Sequence, residues 1–233
     1  MRNPYRLLLT SLLLVSHLSL FAQTKSWQIG LQVGLNLSAL QLADPAIPPG
    51  RAKFGLHLGA TLSYFLKANL FLQSGLSLTS KGMTMSGTSS LGFGDNFVLP
   101  GRQTRLVSQQ WYAQLPLYLG YTLPLGSTTK LVLHAGPYVA YGLGGKTQLT
   151  GDIIYGDMIE YSTWQEPTFG ERGLQRLDVG LGAGVGLELG RATLGLSYEA
   201  GLRDIGPSPL AYIPFYAGSY KNRLVALSVA HRL

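Results

Sequence analysis

Strict two-residue alternation between apolar and small or polar side chains is the feature that most limits how this sequence can fold. Between Trp27 and Ser38 every odd-numbered position is apolar, while the even-numbered positions hold only Gln, Gly, Asn and Ser. Because a β-strand sends successive side chains to opposite faces, this segment has one greasy face and one polar face. The pattern returns between Lys53 and the last residue, Leu233. Such a chain folds as a β-barrel or a β-sandwich.

Eight segments alternate in this way, and we predict one strand in each. They are Trp27–Ser38, Lys53–Leu66, Asn69–Lys81, Thr104–Leu123, Lys130–Gly144, Leu174–Gly190, Ala192–Arg203 and Tyr220–Leu233. The connections between them alternate between tight turns and long segments rich in Gly, Pro, Ser and Asp. Short periplasmic turns and longer extracellular loops are typical of bacterial outer-membrane barrels. An even number of strands then places both termini on the periplasmic side.

The scarcity of charge decides which face of the sheet meets water. Only 12% of the 233 residues are charged, whereas the surface of a small soluble domain carries roughly 25–35%. No run reaches the ~18 apolar residues of a membrane-spanning helix. A soluble, lipocalin-like barrel would bury the Leu and Val rows and expose a glycine-rich face. We therefore predict an all-β, single-domain, eight-stranded antiparallel up-and-down transmembrane β-barrel, with small residues in its narrow lumen.

The N-terminal segment is predicted to be a secretory signal peptide. Met1–Arg6 carries two arginines, Leu7–Leu20 is apolar, and Ala22 ends the segment. We expect residues 1–22 to be removed and residues 23–233 to form the barrel.

Several segments resemble the small outer-membrane barrels of the PorT-like group, which is common in Bacteroidetes. They are Gly34–Ser38, Gln114–Tyr121, Gly182–Glu188, Leu196–Leu202 and the end of the chain from Asn222. The most specific is the Leu-Pro-Leu strand, although Gln114 stands where the family often has Glu. The resemblance implies an outer-membrane location and no enzymatic activity. Some members of the group are linked to protein secretion.

The residues that carry chemistry in other proteins do not form known arrangements in this sequence. There is no cysteine, and the net charge of +7 is not gathered into the stripe that nucleic-acid binding needs. His57 and His134 lack metal-ligand spacing, and the repeat from Gly180 to Gly186 lacks the Lys-Ser/Thr of a phosphate loop. We expect no catalytic residue, cofactor or metal. The predicted role is structural or interactive, through extracellular loops; the glycine-rich lumen leaves a small passive pore as the alternative, and the resemblance leaves a secretion-associated barrel.

Three groups of residues are candidate sites. A two-residue turn at Gly190 and Arg191 would place Asp178 opposite Arg203, which predicts a lumen ion pair that Glu199 joins. Basic residues at the extracellular strand ends, Arg105, Lys221 and Arg223, are candidates for contact with lipopolysaccharide phosphates; the alternative is that they serve only as solvated charges at the rim. Aromatic residues of the long loop Lys146–Gly173 are candidates for ligand or partner binding: Tyr155, Tyr161 and Trp164. The expected partners are outer-membrane lipid, lipopolysaccharide, the barrel-assembly machinery and an unidentified protein.

Overall fold

The structure is a computed structural model that describes residues 26–42, 50–88, 91–93, 97–99, 103–155, 158–170, 173–206 and 219–233. The predicted signal peptide, residues 1–22, lies outside this described part. Within it the strands are β1 (Trp27–Leu42), β2 (Arg51–Phe65), β3 (Leu70–Thr88), β4 (Leu91–Phe93), β5 (Phe97–Leu99), β6 (Gln103–Pro124), β7 (Thr129–Gly144), β8 (Lys146–Tyr155), β9 (Met158–Pro167), β10 (Leu177–Leu189), β11 (Ala192–Gly201) and β12 (Tyr220–Arg232). Across the described ranges, no helix is long and apolar enough to span a membrane.

Eight of these strands form a closed antiparallel barrel, which confirms the predicted fold class. The neighbours run β1, β2, β3, β6, β7, β10, β11 and β12, and β12 pairs with β1 to close the ring. Each predicted strand overlaps one barrel strand. The predicted register at the tight turn is also confirmed, because Leu189 pairs with Ala192. Gly190 has a φ of +63° there, which suits the first central position of a type II′ hairpin turn.

The two faces of the barrel wall carry the side chains that the alternation predicted. Apolar rows face outward: Leu181 and Leu196, for example, are 51% and 50% exposed. Polar residues of the other parity, such as Asn36, Gln114 and Asn222, are buried inside. Because the outer rows face lipid rather than water, no further layer of protein has to cover them. The closed sheet also pairs the backbone N–H and C=O groups, which lipid cannot hydrogen-bond.

Aromatic side chains stand at both ends of the outward apolar band. Near the tight turns, the rings of Trp27 and Tyr64 lie 4.7 Å apart, and Tyr121 is exposed at the same end. Toward the long loops, Tyr141 and Tyr198 are exposed. Such belts occur where a transmembrane barrel crosses the two membrane–water interfaces.

The glycines of the lumen face give space to rings from neighbouring strands. The ring of Tyr138 lies over Gly180 and that of His134 lies over Gly184. In each case the ring belongs to the residue directly opposite the glycine on the adjacent strand. A Cβ at Gly182 would come 2.5 Å from the Tyr118 hydroxyl. The glycine row therefore does not leave an open channel, because larger side chains fill the space above it.

The loop predicted at Lys146–Gly173 contains a hairpin instead, which corrects that prediction. β8 and β9 pair along their full length, and β8 also pairs with the upper end of β6, from Arg105 to Ser108. The hairpin thus extends the barrel wall beyond the band of exposed apolar residues. The sequence of the hairpin has no apolar face, because neither of its sides has to meet lipid. Alternation therefore could not reveal β8 and β9.

A charged side chain on the outer face should lower the stability of the barrel strongly in the middle of the apolar band and only slightly at its edge. Leu196 lies between Val185 and Leu227 on the adjacent strands. Leu196→Arg should lower the free energy of unfolding in lipid vesicles by about 2–4 kcal/mol if it lies near the bilayer midplane.

Leu202 is an exposed leucine just beyond the end of β11 and provides the matched control. Leu202→Arg should cost only about 0–1 kcal/mol, as expected near an interface. Denaturant unfolding followed by tryptophan fluorescence measures both, and equal costs would contradict the assigned facing.

Candidate functional site

A buried lysine lies between two carboxylates inside the barrel. Lys81 comes from β3, Asp178 from β10 and Glu199 from β11. The Lys81 ammonium nitrogen is 3.3 Å from Asp178 Oδ2 and 3.5 Å from Glu199 Oε2. Two of the side chains are fully buried and Glu199 is 9% exposed. We call these three residues the lumen cluster; shielded from bulk water, each charge depends on its partners.

Two tyrosine rings complete the surroundings of the Lys81 ammonium group. The nitrogen lies 4.7 Å from the centre of the Tyr138 ring and 5.2 Å from that of Tyr112. Both distances fall within the range of cation–π attraction. The Tyr138 hydroxyl also donates a hydrogen bond to Asp178 Oδ2 at 3.4 Å. Tyr138 therefore contacts the cation through its ring and the anion through its hydroxyl.

Amide side chains from two further strands hold the carboxylates. The Asn222 amide donates to Asp178 Oδ2 at 2.8 Å, and the Gln114 amide donates to Glu199 Oε1 at 2.6 Å. With these bonds the network joins β3, β6, β7, β10, β11 and β12. It connects strands that are not neighbours in the sheet, across the inside of the barrel.

An apolar cap covers the lumen cluster on the side of the long loops. Met83 lies two residues after Lys81 on the lumen-facing row of β3, and Tyr220 lies two residues before Asn222 on that of β12. Both side chains are fully buried. Phe169 packs edge-on against Tyr112 with ring centres 5.4 Å apart. The other buried members of this apolar group are Leu40, Leu106, Tyr138, Ala140, Leu174 and Ile205.

Asp204 ties the cap to the rim of the barrel. Its carboxylate accepts hydrogen bonds from the backbone N–H groups of Gly206 and Tyr220, each at 2.8 Å. Burial raises the pKa of Asp204, but these two bonds, with help from Ser219 and Lys221, outweigh it and hold the pKa below its ordinary value. The neighbouring Ile205 is thereby held in the cap, fully buried.

Below the lumen cluster lies a cavity of about 80 Å³, lined by both polar and apolar groups. Its wall includes Glu199, Gln114, His57 and His134. It continues into a second cavity of about 120 Å³ toward the tight-turn end, since His134 lines both. The lumen is thus filled by apolar side chains at the end of the long loops, and it keeps open space toward the tight turns.

The two histidines inside the barrel, His57 and His134, have different environments. His57 Nε2 faces the Gln32 amide, and its Nδ1 lies 2.8 Å from the Thr79 hydroxyl. His134 stacks on the Tyr118 ring at 5.1 Å.

Chemically, the lumen cluster is a network of ion pairs and hydrogen bonds that connects several strands. Its lysine lies within ion-pair distance of both carboxylates. The Tyr138 hydroxyl and the Asn222 and Gln114 amides donate hydrogen bonds to those same carboxylates. Among the residues that the structure describes, no group of three or more His, Cys, Asp or Glu side chains is placed to hold a metal ion.

The predicted ion pair between Asp178 and Arg203 is corrected by the structure, because the cation beside Asp178 is Lys81. β11 ends at Gly201, and the N–H groups of both Leu202 and Arg203 donate to the Val179 carbonyl. The chain therefore leaves the register before Arg203. The exposed Arg203 guanidinium donates to Gln175 Oε1 at 3.3 Å instead. Glu199 does share the cluster with Asp178, through Lys81.

Lys81 is the residue that sequence reasoning missed, although its position carried a signal. It has the same parity as Gln73, Gly75, Ser77 and Thr79, the lumen-facing row of β3. A lysine at the end of such a row, with unpaired carboxylates elsewhere, was a candidate partner. Only ring closure shows that β3 lies across the lumen from β10 and β11.

The remaining predicted site residues lie at the loop end of the molecule. Arg105 is exposed on β6, while Lys221 and Arg223 are partly buried on β12. Tyr161 and Trp164 are 45% and 40% exposed on β9, on opposite faces of the hairpin. The backbone of Tyr155 ends β8, but its side chain lies outside the described part of the chain.

Comparisons with known proteins bear on the barrel as a whole. A family model described as "Outer membrane protein beta-barrel domain" matches residues 21–206. No curated protein matches. Among solved structures, the chain is similar to Ail, the attachment invasion locus protein of Yersinia pestis, at 13% identity over 90% of this chain and 100% of that chain, with a TM-score of 0.39. It is also similar to Neisserial surface protein A, at 10% identity over 88% and 97%, with a TM-score of 0.41. At these values we draw nothing about function from either structure.

Removing the lysine should leave two buried carboxylates without their cation. Lys81→Met keeps most of the side-chain volume and should lower the free energy of unfolding by about 3–5 kcal/mol. Adding Asp178→Asn and Glu199→Gln to the same protein should restore much of this loss. Equilibrium unfolding in detergent micelles or vesicles measures each variant.

Arg203→Gln is the control, because Arg203 is exposed and makes no contact with the cluster. Its effect should stay within about 0.5 kcal/mol of zero. A larger loss of unfolding free energy for Arg203→Gln than for Lys81→Met would instead support the ion pair between Asp178 and Arg203.

Proposed function

The chain belongs to the outer membrane protein β-barrel domain family, and from that premise we propose that it is a non-enzymatic, closed barrel that presents a surface for interaction outside the cell. The observation that supports this proposal is that the lumen is filled while the barrel wall extends beyond the apolar band. The lumen is occupied by the charged cluster and the apolar cap. The extension is the β8–β9 hairpin.

The closed lumen favours this role over a passive pore. Lys81, Asp178, Tyr112 and Tyr138 are buried side by side where a channel would have to pass. The glycine row, which suggested open space in the sequence, lies beneath aromatic rings. An eight-stranded barrel is in any case only wide enough for its own side chains.

The hairpin supplies the surface. It is built on the upper end of β6, so it inherits the rigidity of the barrel wall. Exposed Tyr161 and Trp164 offer aromatic contact area on its two faces, and Thr150 and Thr163 form an exposed hydroxyl pair at 3.0 Å. Aromatic residues on a rigid support are typical anchors of protein interfaces.

The orientation of the barrel and its lipid contacts are part of the same proposal. We place the tight turns and both termini in the periplasm and the hairpin outside. Lys221 and Arg223 then lie above Val225 on the lipid-facing row of β12, and Arg223 lies between the small Ala39 and Ala200 on the neighbouring strands. This position supports the predicted lipopolysaccharide contacts, to which Arg105 would add. The PorT-like resemblance, and with it a link to secretion, stays a prediction.

Closure can be measured directly in planar bilayers. The purified protein should show no stable ion conductance, because the cluster and the cap fill the lumen. A variant in which Lys81, Asp178 and Tyr138 are all replaced by Gly is the comparison, since it removes the side chains from the closed section. A steady, ohmic conductance from the native protein would support the pore instead.

Interaction through the hairpin can be tested with one double variant. Tyr161→Ala with Trp164→Ala should reduce capture of the outer-membrane partner in a cross-linking pull-down at least several-fold, since aromatic anchors dominate interfaces. Thr150→Ala with Thr163→Ala is the matched control on the same hairpin and should retain capture. Equal recovery of every protein by all three forms would place the interaction surface elsewhere.

A further inference from the structure

The hairpin strand β9 leaves one edge of the sheet open. It is the last strand in the order of the sheet, and among the described residues only β8 pairs with it. Each of the eight barrel strands, by contrast, has a paired strand on both sides. In an antiparallel pair, about half of the backbone N–H and C=O groups of a strand point away from the partner. Those of β9 therefore point outward along its open edge.

The open edge of β9 lacks the features by which proteins commonly block such an edge. Short length, bulges, lysines and prolines serve this purpose in other sheets. β9 is ten residues long, and its register with β8 runs from Met158 to Pro167 without a shift. It contains no lysine, and its one proline is its last residue, Pro167. A further strand can therefore add along most of its length.

The charge of β9 selects the kind of strand that fits it. Glu160 and Glu166 are its only charged residues, in a chain whose net charge is +7. Opposite charges on paired strands attract, whereas like charges that lie opposite each other repel. A second copy of β9 would bring four glutamates together, and the phosphates of lipopolysaccharide would also be repelled. A strand that carries lysine or arginine would be attracted.

Aromatic side chains on both faces of β9 favour the same partner. Trp164 lies on one face and Tyr161 on the other, and both are exposed. The face of an aromatic ring attracts a neighbouring lysine or arginine. A basic strand added along the edge would place its alternate side chains beside one ring or the other.

We propose that the open edge of β9 binds an extended, basic segment of a partner protein as an additional strand of the sheet. Backbone hydrogen bonds along the edge supply the affinity, and the side chains supply the preference for basic residues. This inference rests on the proposed function, because it names the chemistry of the partner for the same hairpin. It adds that the backbone of the partner is recognised as well as its side chains.

A synthetic ten-residue peptide of alternating Lys and Thr is the probe for strand addition. Fluorescence anisotropy measures its binding to the native protein in neutral detergent at low salt. The first control is the same peptide N-methylated at every backbone nitrogen, which keeps the charges but donates no backbone hydrogen bond. The second is a peptide of alternating Glu and Thr. Each control should bind at least about tenfold more weakly. Equal binding of the Lys-Thr peptide and its N-methylated form would overturn strand addition.

Amide hydrogen exchange of the native protein shows where the Lys-Thr peptide binds, without relying on any variant. The peptide should slow exchange along β9 and leave the strand ends at the tight turns unchanged. Slowed exchange elsewhere instead of along β9 would overturn the proposal. Protection of β9 that grows with protein concentration in the absence of peptide would assign the edge to a second copy, and would overturn it as well.

Charge-removing variants test the selection of a basic strand. Glu160→Gln with Glu166→Gln should weaken binding of the Lys-Thr peptide about fivefold. Glu188→Gln is the matched control, because Glu188 pairs with Lys130 and Arg232 near the tight turns; it should bind the peptide as the native protein does. Equal affinities in all three proteins would refute the charge selection.

Failure of strand addition can be told apart from failure of the proposed function. If the peptide tests fail while Tyr161→Ala with Trp164→Ala still loses its partner, the hairpin remains the interaction surface and only strand addition is refuted.

Discussion

The lipid environment requires every backbone N–H and C=O group of the membrane-spanning strands to be paired within the sheet. Only a closed ring meets this requirement with strands, because any open edge would leave unpaired groups in hydrocarbon. The pairings of β3 with β6 and of β1 with β12 complete that ring. Once it closes with eight strands, the width of the lumen is set, and the side chains inside must fill it.

The lumen is filled by combining very small and very large residues. Glycines on β10 lie beneath rings from other strands, as Gly180 does beneath Tyr138 and Gly182 beneath Tyr118. The same tyrosines contact the charged groups, so packing and electrostatics are not separate layers. Tyr138 touches the glycine row, the Lys81 ammonium group and the Asp178 carboxylate. The lumen cluster is therefore both a filler and a connection between distant strands.

The ends of the barrel differ because they meet different surroundings. The tight turns need only reverse the chain, as Gly190 and Arg191 do. At the other end the chain forms a cap held by Asp204 and a hairpin that continues the wall. A buried, charged middle and a wall extended at the loop end support the proposed role in contact rather than in transport.

Alternation along the sequence was enough to predict the eight strands of the barrel, the facing and even the register of Leu189 with Ala192, because these depend on side-chain parity and local turn geometry. It could not reveal β8 and β9, which lie outside the apolar band and need no greasy face. It also paired Asp178 with Arg203, since a register extended along one hairpin cannot show that β11 ends at Gly201. The contacts of Lys81 with Asp178 and Glu199 join strands far apart in the sequence and not adjacent in the sheet. Local pattern determined the wall of this barrel, and only ring closure, which brings those strands face to face across a narrow lumen, decided what the barrel holds inside.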